Sequence, residues 1–294
     1  MANPTFKTWL LAIRPKTLPA SIAPVVIVTA MAFGDGIAHF PTALLCLCAS
    51  LAIQIGTNLA NDYYDFKKGT DTAERIGPVR VTQSGLIKPN IVKFAYIISF
   101  CIAGVLSIWL INRGGWPIAV IGILAVLSGI FYTAGPCPLG YIGLGDLFVL
   151  IFFGPVAVGG TYYVQSYEIN MAVVLSGLAP GFLSVAILSI NNLRDIASDH
   201  KAGKSTLAVR FGRPFAIYEC LISIILASLI PVLIYVLIED HILILACTSI
   251  SLFAIPAIKA VSSKSDGPSL NGALAHIGRL LIVYSILFSI GWIV

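Results

Sequence analysis

Apolar residues run along this chain in long unbroken stretches, and polar residues crowd into the gaps between them. The runs lack the strict alternation of a half-buried strand. Several approach the twenty or so residues a helix needs to cross the hydrocarbon core of a bilayer. Nine spans are predicted: Leu18–Phe33, Phe40–Leu59, Ile91–Ile111, Pro117–Phe131, Gly143–Val164, Val173–Ile190, Phe215–Leu237, Ile242–Val261 and Gly272–Val294. Lipid cannot satisfy backbone N–H and C=O groups, so only helices or a closed barrel can span it. The expected fold is all-α and integral to a membrane, as one transmembrane domain over residues 1–294.

Composition agrees with the pattern. Hydrophobic residues make up 58% of the chain and charged residues 11%, with a mean hydropathy of +0.95. A soluble domain carries about 25% charged residues. Arg14, Pro15, Lys16 and Pro19 break the first apolar run, so no cleavable signal sequence is expected. The net charge of +5 reads as topology and not as a nucleic-acid footprint. Lys7, Arg14 and Lys16 precede the first span, which places the N-terminus in the cytoplasm and the C-terminus on the opposite side. The loops then expected inside hold nearly all remaining Lys and Arg, while those outside hold Arg113 alone. The six cysteines form no CxxC pair and read as small apolar side chains.

Two of the inward loops match each other. Residues 58–89 begin NLANDYYDFKKGTD, and residues 191–214 begin NNLRDIASDHKAGKST. Each opens with Asn, has Asp four residues on (Asn61 and Asp65, Asn191 and Asp195), and continues into a Lys-Gly segment. The offset of about 130 residues implies a repeated four-helix unit with a ninth helix left over, and parallel repeats of this kind place sites at their interface. If the second and sixth helices continue into these loops, Asn58, Asn61 or Asp62, and Asp65 form one polar stripe and Asn191, Asp195 and Asp199 another, because residues three or four apart share a helix face; Asp62 is either a ligand or a neighbour of one. Acids so close together need a cation between them. Two stripes around one central cavity, under a cytoplasmic polar cap, offer an oxygen-only set suited to Mg²⁺, which typically bridges carboxylates to substrate phosphates. Lys68, Arg75, Arg80, Lys204 and Arg210 would hold the remaining anionic charge. A diphosphate clamped beside a lipid-like cavity suits an allylic prenyl diphosphate, whose carbocation the apolar walls shield from water.

A third polar stretch, FYTAGPCPLGYIGLGD, joins the fourth and fifth spans. Its Tyr132 and Tyr141 are candidates for contact with an aromatic acceptor. Asp146 is a candidate base toward a phenol, or a cap at the start of the fifth span.

NDYYD with KGTD, and NNLRDIASDHKAGKSTLAVRFG, resemble the two Asp-rich motifs of the UbiA superfamily of membrane prenyltransferases, and the resemblance covers nearly the whole chain. Within that family RIGPVRVTQSGLI and FYTAGPCPLGYIGLGDLFVLIFFGPVAVGGTYYVQ are similar to the branch that prenylates 1,4-dihydroxy-2-naphthoate in menaquinone biosynthesis. The resemblance implies a polyprenyl transfer from a polyprenyl diphosphate with loss of diphosphate and CO₂. It implies metal or diphosphate roles for Asn61, Asp65, Asp195 and Asp199, and extends the metal role to Asp71, where the broader superfamily has an acid two positions earlier. It implies diphosphate contacts for Lys204, Arg75 and Arg80. Gln83 joins the acceptor candidates, in the same cap as Arg80. The expected partners are a prenyl diphosphate, an aromatic hydroxy acid and the bilayer of a bacterial inner membrane. Other readings are a 4-hydroxybenzoate acceptor, a phytyl donor and, from a different class, an ion-coupled transporter; the transporter's acids would sit near mid-membrane.

Overall fold

The computed structural model describes residues 4–70 and 76–294, and every regular element among them is helical. In chain order the helices are α1 (Phe6–Ile13), α2 (Pro19–Gly34), α3 (Phe40–Lys68), α4 (Pro89–Gly114), α5 (Trp116–Phe131), α6 (Gly145–Ile151), α7 (Ala157–Ser166), α8 (Met171–Lys201), α9 (Leu207–Ile238), α10 (Ile250–Phe253), α11 (Ile255–Ser263) and α12 (Gly267–Ile293). Seven helical segments among the described residues are long and apolar enough to cross a membrane; a bent pair, Phe6–Thr17 with Pro19–Gly34 at 55°, brings the number to eight. The expected fourth span, α5, has 16 residues, or about 24 Å at 1.5 Å per residue, short of a roughly 30 Å core. By length alone the count therefore falls one below the nine expected.

Sequence sets the helix ends. The N-terminal caps follow the usual chemistry of a short side-chain acceptor over the first turn. Asn170 accepts from the Val173 N–H, Thr206 from Val209 and Asp266 from Ser269. Gly69 ends α3 at φ +70, a conformation that costs a glycine little. Both Asp-motif helices outrun the bilayer. With 29 and 31 residues, α3 and α8 are each about 45 Å long, so Asn61–Asp65 and Asn191–Asp199 lie on helix and not in loops.

The repeat appears as pairing. α3 packs along α4, and α8 packs along α9. The largest buried cluster joins α2, α8, α9 and α12 through Ile27, Met31, Leu183, Ile224, Leu281 and Phe288. Between α6 and α7 the chain breaks at Gly154–Pro155, where Gly154 takes φ −113, ψ −115. A Cβ at Gly154 would lie 2.7 Å from the Gly177 carbonyl oxygen and 3.2 Å from the Gly181 Cα. Glycine on all three sides lets the break seat against α8, as small residues do where membrane helices approach closely. The outer surface is apolar. On α4 the exposed Phe94, Ile98, Ile102, Val105 and Ile108 share a face opposite the buried Val92, Tyr96, Ala103 and Leu110, which is the distribution lipid requires.

Candidate active site

A cavity of about 350 Å³ runs into the bundle between the two Asp-motif helices. Its polar end is lined by Asn61, Asp65, Arg80, Asp195, Asp199 and Lys204; lower down come Val25, Ile53, Phe148, Phe152 and Ile187.

Asp65 is the centre of the polar end, with a side chain that has no solvent exposure. Its Oδ1 accepts from the Tyr141 hydroxyl at 2.6 Å and from Thr70 Oγ1 at 3.2 Å. Its Oδ2 accepts from Asn61 Nδ2 at 3.2 Å, Arg80 Nη2 at 3.4 Å and Lys204 Nζ at 3.5 Å. The Lys204 ammonium also lies 3.5 Å from Asp199 Oδ1. One cation thus bridges carboxylates of the two motifs, which meet across the cavity as their matching sequences imply. Tyr141 lies beneath two ammonium groups, with Lys68 Nζ 4.6 Å and Lys204 Nζ 4.8 Å from its ring centroid. Its loop is held to the α8–α9 turn by the Ser205 N–H donating to the Tyr141 carbonyl at 2.7 Å.

Other motif residues do supporting work. Asp62 accepts from the Val81 and Thr82 N–H groups at 3.1 and 3.0 Å, so it is a neighbour that fixes the loop carrying Arg80. Arg194 grips Asp195 in a fork, Nε to Oδ1 at 2.8 Å and Nη2 to Oδ2 at 2.6 Å. It also donates to Asn191 Oδ1 at 2.7 Å and Asn271 Oδ1 at 2.6 Å. Both Asp195 oxygens therefore already carry a guanidinium, and a metal role requires sharing them.

Tyr132 lines the cavity. Enclosure by protein raises its phenol above the ordinary range, and the charges of Asp146, Asp199 and Asp65 push it the same way. It stays a protonated donor.

Three expected residues fall elsewhere. Arg210 donates to the Ile142 carbonyl at 2.8 Å on the exposed side of the loop and does not line the cavity; it holds Tyr141's loop. Gln83 is not among the lining residues either, because the Asp62 anchor turns Arg80 inward and leaves the end of that turn outside. Asp146 does not cap α6, whose N-cap is Leu144. It is buried in the first helical turn, where the macrodipole favours an anion, and it does not line the cavity. Asp71 and Arg75 lie outside the described residues.

Sequence reasoning missed Arg14 and Thr133, and the structure places Lys68, one of the expected cations, beside them. Arg14 sits at φ +54 where α1 breaks from the bent pair, lines the cavity and donates to Asn61 Oδ1 at 2.8 Å. Thr133 Oγ1 accepts from Asn61 Nδ2 at 2.8 Å, and Lys68 Nζ donates to the Thr133 carbonyl at 2.8 Å. Arg14 had been read only as an orientation charge.

The polar end suits Mg²⁺. Its metal-ligating atoms are oxygens, the Asp65 and Asp199 carboxylates and the Asn61 amide, and Asp65 and Asn61 would share theirs with the donors they now accept from. The Lys204 ammonium lies 3.5 Å from an oxygen of each carboxylate, so both face one cationic point; an ion bound at about 2 Å requires them to close around it. No group of three or more His, Cys, Asp or Glu side chains gathers for a metal among the described residues. A two-carboxylate set still matches an ion that takes one or two protein carboxylates and completes its shell with water and phosphate.

The profile of the UbiA prenyltransferase family matches residues 21–271. The 1,4-dihydroxy-2-naphthoate octaprenyltransferase of Haemophilus influenzae is 36% identical, over 100% of this chain and 98% of its own. The protein of that name from Escherichia coli is 42% identical, over 70% of this chain and 69% of its own. The fold is similar to that of a UbiA homologue from Archaeoglobus fulgidus bound to DMAPP and Mg²⁺, with a TM-score of 0.69, 17% identity and coverage of 97% and 99%. The profile match and these relatives extend well beyond the two Asp motifs, and the chain belongs to the UbiA prenyltransferase family.

Proposed function

We propose that this membrane prenyltransferase moves a polyprenyl chain from an allylic polyprenyl diphosphate to 1,4-dihydroxy-2-naphthoate. Diphosphate and CO₂ leave, and the product is a demethylmenaquinone. The observation that carries the reading is the Lys204 ammonium bridging Asp65 and Asp199 at the head of an apolar cavity. The acceptor follows the names of the Haemophilus influenzae and Escherichia coli relatives.

In this reading Asp65, Asp199 and Asn61 hold Mg²⁺ together with the diphosphate, and Asp195 orients Arg194 beside them. The metal, when bound, supplies positive charge to the departing diphosphate. Arg80 and Lys204 add cationic donors on the same side. Tyr141, held by Asp65, and Tyr132, a protonated phenol, bracket the place where an aromatic ring meets the allylic carbon. The apolar walls below exclude water, so the ring and not hydroxide captures the cation. The N-terminus and the Asp motifs face the cytoplasm and the C-terminus the opposite side of a bacterial inner membrane, in line with the Lys and Arg distribution. A phytyl donor is the second reading, favoured by 29% identity to the 2-carboxy-1,4-naphthoquinone phytyltransferase of Synechocystis.

The test is a competition in one tube. Purified protein, Mg²⁺ and octaprenyl diphosphate receive equal 1,4-dihydroxy-2-naphthoate and 4-hydroxybenzoate, and products are identified by mass. Prenylated, decarboxylated naphthoquinol is the expected product. Exclusive prenylation of 4-hydroxybenzoate would reject the acceptor, and no product from either acceptor would reject the reaction.

A further inference from the structure

α12 runs from the Asp-motif end of the bundle to the opposite end. Asn271, in its second turn, accepts from Arg194. Trp292, in its last turn, stacks on His241 with 4.1 Å between ring centroids. One face of the helix is buried through Leu274, Ile277, Leu281, Tyr284 and Phe288. The opposite face is exposed and carries Val283, Ile286, Ile290 and Ile293, each three or four residues from the next, as a lipid-facing stripe does. Arg279 is exposed on that same stripe, four residues before Val283. It lies 13 residues before Trp292, or about 20 Å along the axis. An indole at a helix end marks the interfacial belt. With a hydrocarbon core of about 30 Å, the Arg279 backbone is then about 10 Å inside it, on the Asp-motif side.

A charge at that depth needs a partner. Among the described residues no protein group meets the Arg279 side chain by hydrogen bond or ion pair. Side chains on a helix lean toward its N-terminus, which here is the nearer headgroup layer, and arginine is long enough to extend that way. A second cation stands at the same level. A Cβ at Gly278 would lie 3.0 Å from the Lys16 carbonyl oxygen and 3.8 Å from Pro19 Cγ, so the turn Pro15–Thr17 packs on α12 beside Arg279. Lys16 is exposed and likewise meets no protein partner among the described residues. His276, on the same stripe, is occupied: a ring N–H donates to the Phe253 carbonyl at 2.9 Å. Thr17 and Leu274 line the cavity from the inner side of this seam between α2 and α12.

We propose that Lys16 and Arg279 bind the headgroup phosphate of an anionic phospholipid, which covers the membrane side of the seam between α2 and α12. Charge complementarity carries the assignment: two cations without protein partners flank one seam, on a surface otherwise aliphatic. The guanidinium offers a fork to phosphate oxygens and the ammonium a point charge. A zwitterionic lipid would bring its own cation against the same pair, so a net negative headgroup is preferred. The acyl chain then lies along Val283, Ile286 and Ile290. The site does not depend on which prenyl donor or aromatic acceptor the enzyme uses.

The experiment reconstitutes the full chain in vesicles of equal phosphatidylglycerol and phosphatidylcholine, with a trace of one or the other lipid bearing a photoreactive diazirine in its acyl chain. Crosslinks are mapped by mass to the stripe after Arg279 on α12 and to the lipid-facing face of α4 from Ile98 to Ile108, which carries no cation. The readout is the phosphatidylglycerol-to-phosphatidylcholine ratio at α12 divided by that at α4, so differences in insertion or folded fraction cancel. The parent should show a clear excess at α12. Arg279→Gln should lower it about fivefold, the scale for one basic side chain at an anionic membrane surface. Arg279→Lys should keep most of it, and Lys16→Gln/Arg279→Gln should bring α12 to the α4 value. Equal ratios at α12 and α4 in the parent would overturn the site, whether a second copy of the chain covers the stripe or nothing does. An excess that survives in the double variant would overturn its assignment to these two residues. Prenyl transfer plays no part in the readout, so either failure leaves the proposed reaction standing.

Discussion

Replacing Asp65 by Asn keeps the shape of the side chain and removes its charge. At present the carboxylate, with no exposed surface, accepts from Tyr141, Thr70, Asn61, Arg80 and Lys204. An amide offers one acceptor oxygen and turns an N–H₂ toward donors it cannot satisfy. Two costs follow. Removing one partner of a buried ion pair costs about 3–5 kcal/mol; Asp199 still holds Lys204 at 3.5 Å, so the lower end, about 3 kcal/mol, is expected here. Removing a group that organises charge stabilisation at the reacting centre costs about 2.7–4 kcal/mol, or about 10²–10³ in turnover. The assay is diphosphate release in saturating Mg²⁺, run beside thermal unfolding in detergent. The expected result is a folded protein, somewhat less stable, with turnover down at least about a hundredfold. Near-parent turnover by a folded Asp65→Asn protein would refute the shared clamp.

Further outcomes follow from other groups. Arg80→Ala should raise the KM for the diphosphate donor by about tenfold, since a charge-assisted bond is worth about 1.5–3 kcal/mol; unchanged kinetics toward both substrates would remove Arg80 from the site. Cys137, exposed on the loop between α5 and α6, should react with an impermeant thiol reagent from the cytoplasmic face, and a cysteine appended after Val294 from the opposite face; labelling of both from one face would break the orientation. Asp266 is held below its ordinary carboxylate value mainly by the Ser269 N–H, so its capping of α12 is present above the ordinary value and lost as pH falls through the lowered one. Exchange of the Ser269 amide, corrected for intrinsic rate, should accelerate across that acidic window and stay flat in Asp266→Ala.

The Asp motifs were legible because their chemistry is local: Asn and Asp four residues apart, twice, on segments where uncompensated acids are costly. That α3 and α8 carry them as helix was conditional on the helices outrunning the apolar windows that ended at Leu59 and Ile190. They do so because charged residues end a hydropathy run without ending a helix in water. Arg14 and Thr133 were not legible as site residues. They reach Asn61 from 47 and 72 positions away, and nothing near them in sequence marks the contact. Arg210 was misread for the complementary reason. It shares a basic run with Lys204, but it sits in the first turn of α9, and its guanidinium reaches back to Ile142 outside the cavity. Asp146 follows a Gly-rich turn, as a cap would, yet the helix begins two residues earlier than that reading needs, with Leu144 at the N-cap.

The central claim is that both Asp motifs bind one metal–diphosphate unit. A structure of the protein with Mn²⁺ and a non-ionisable thiodiphosphate analogue of the donor, with the ion located by its anomalous scattering, tests it most directly. The account predicts an ion bonded to the diphosphate and coordinated by both Asp65 and Asp199, with Lys204 displaced from between them. An ion and diphosphate held by one motif alone, with Lys204 still bridging the two carboxylates, would contradict it.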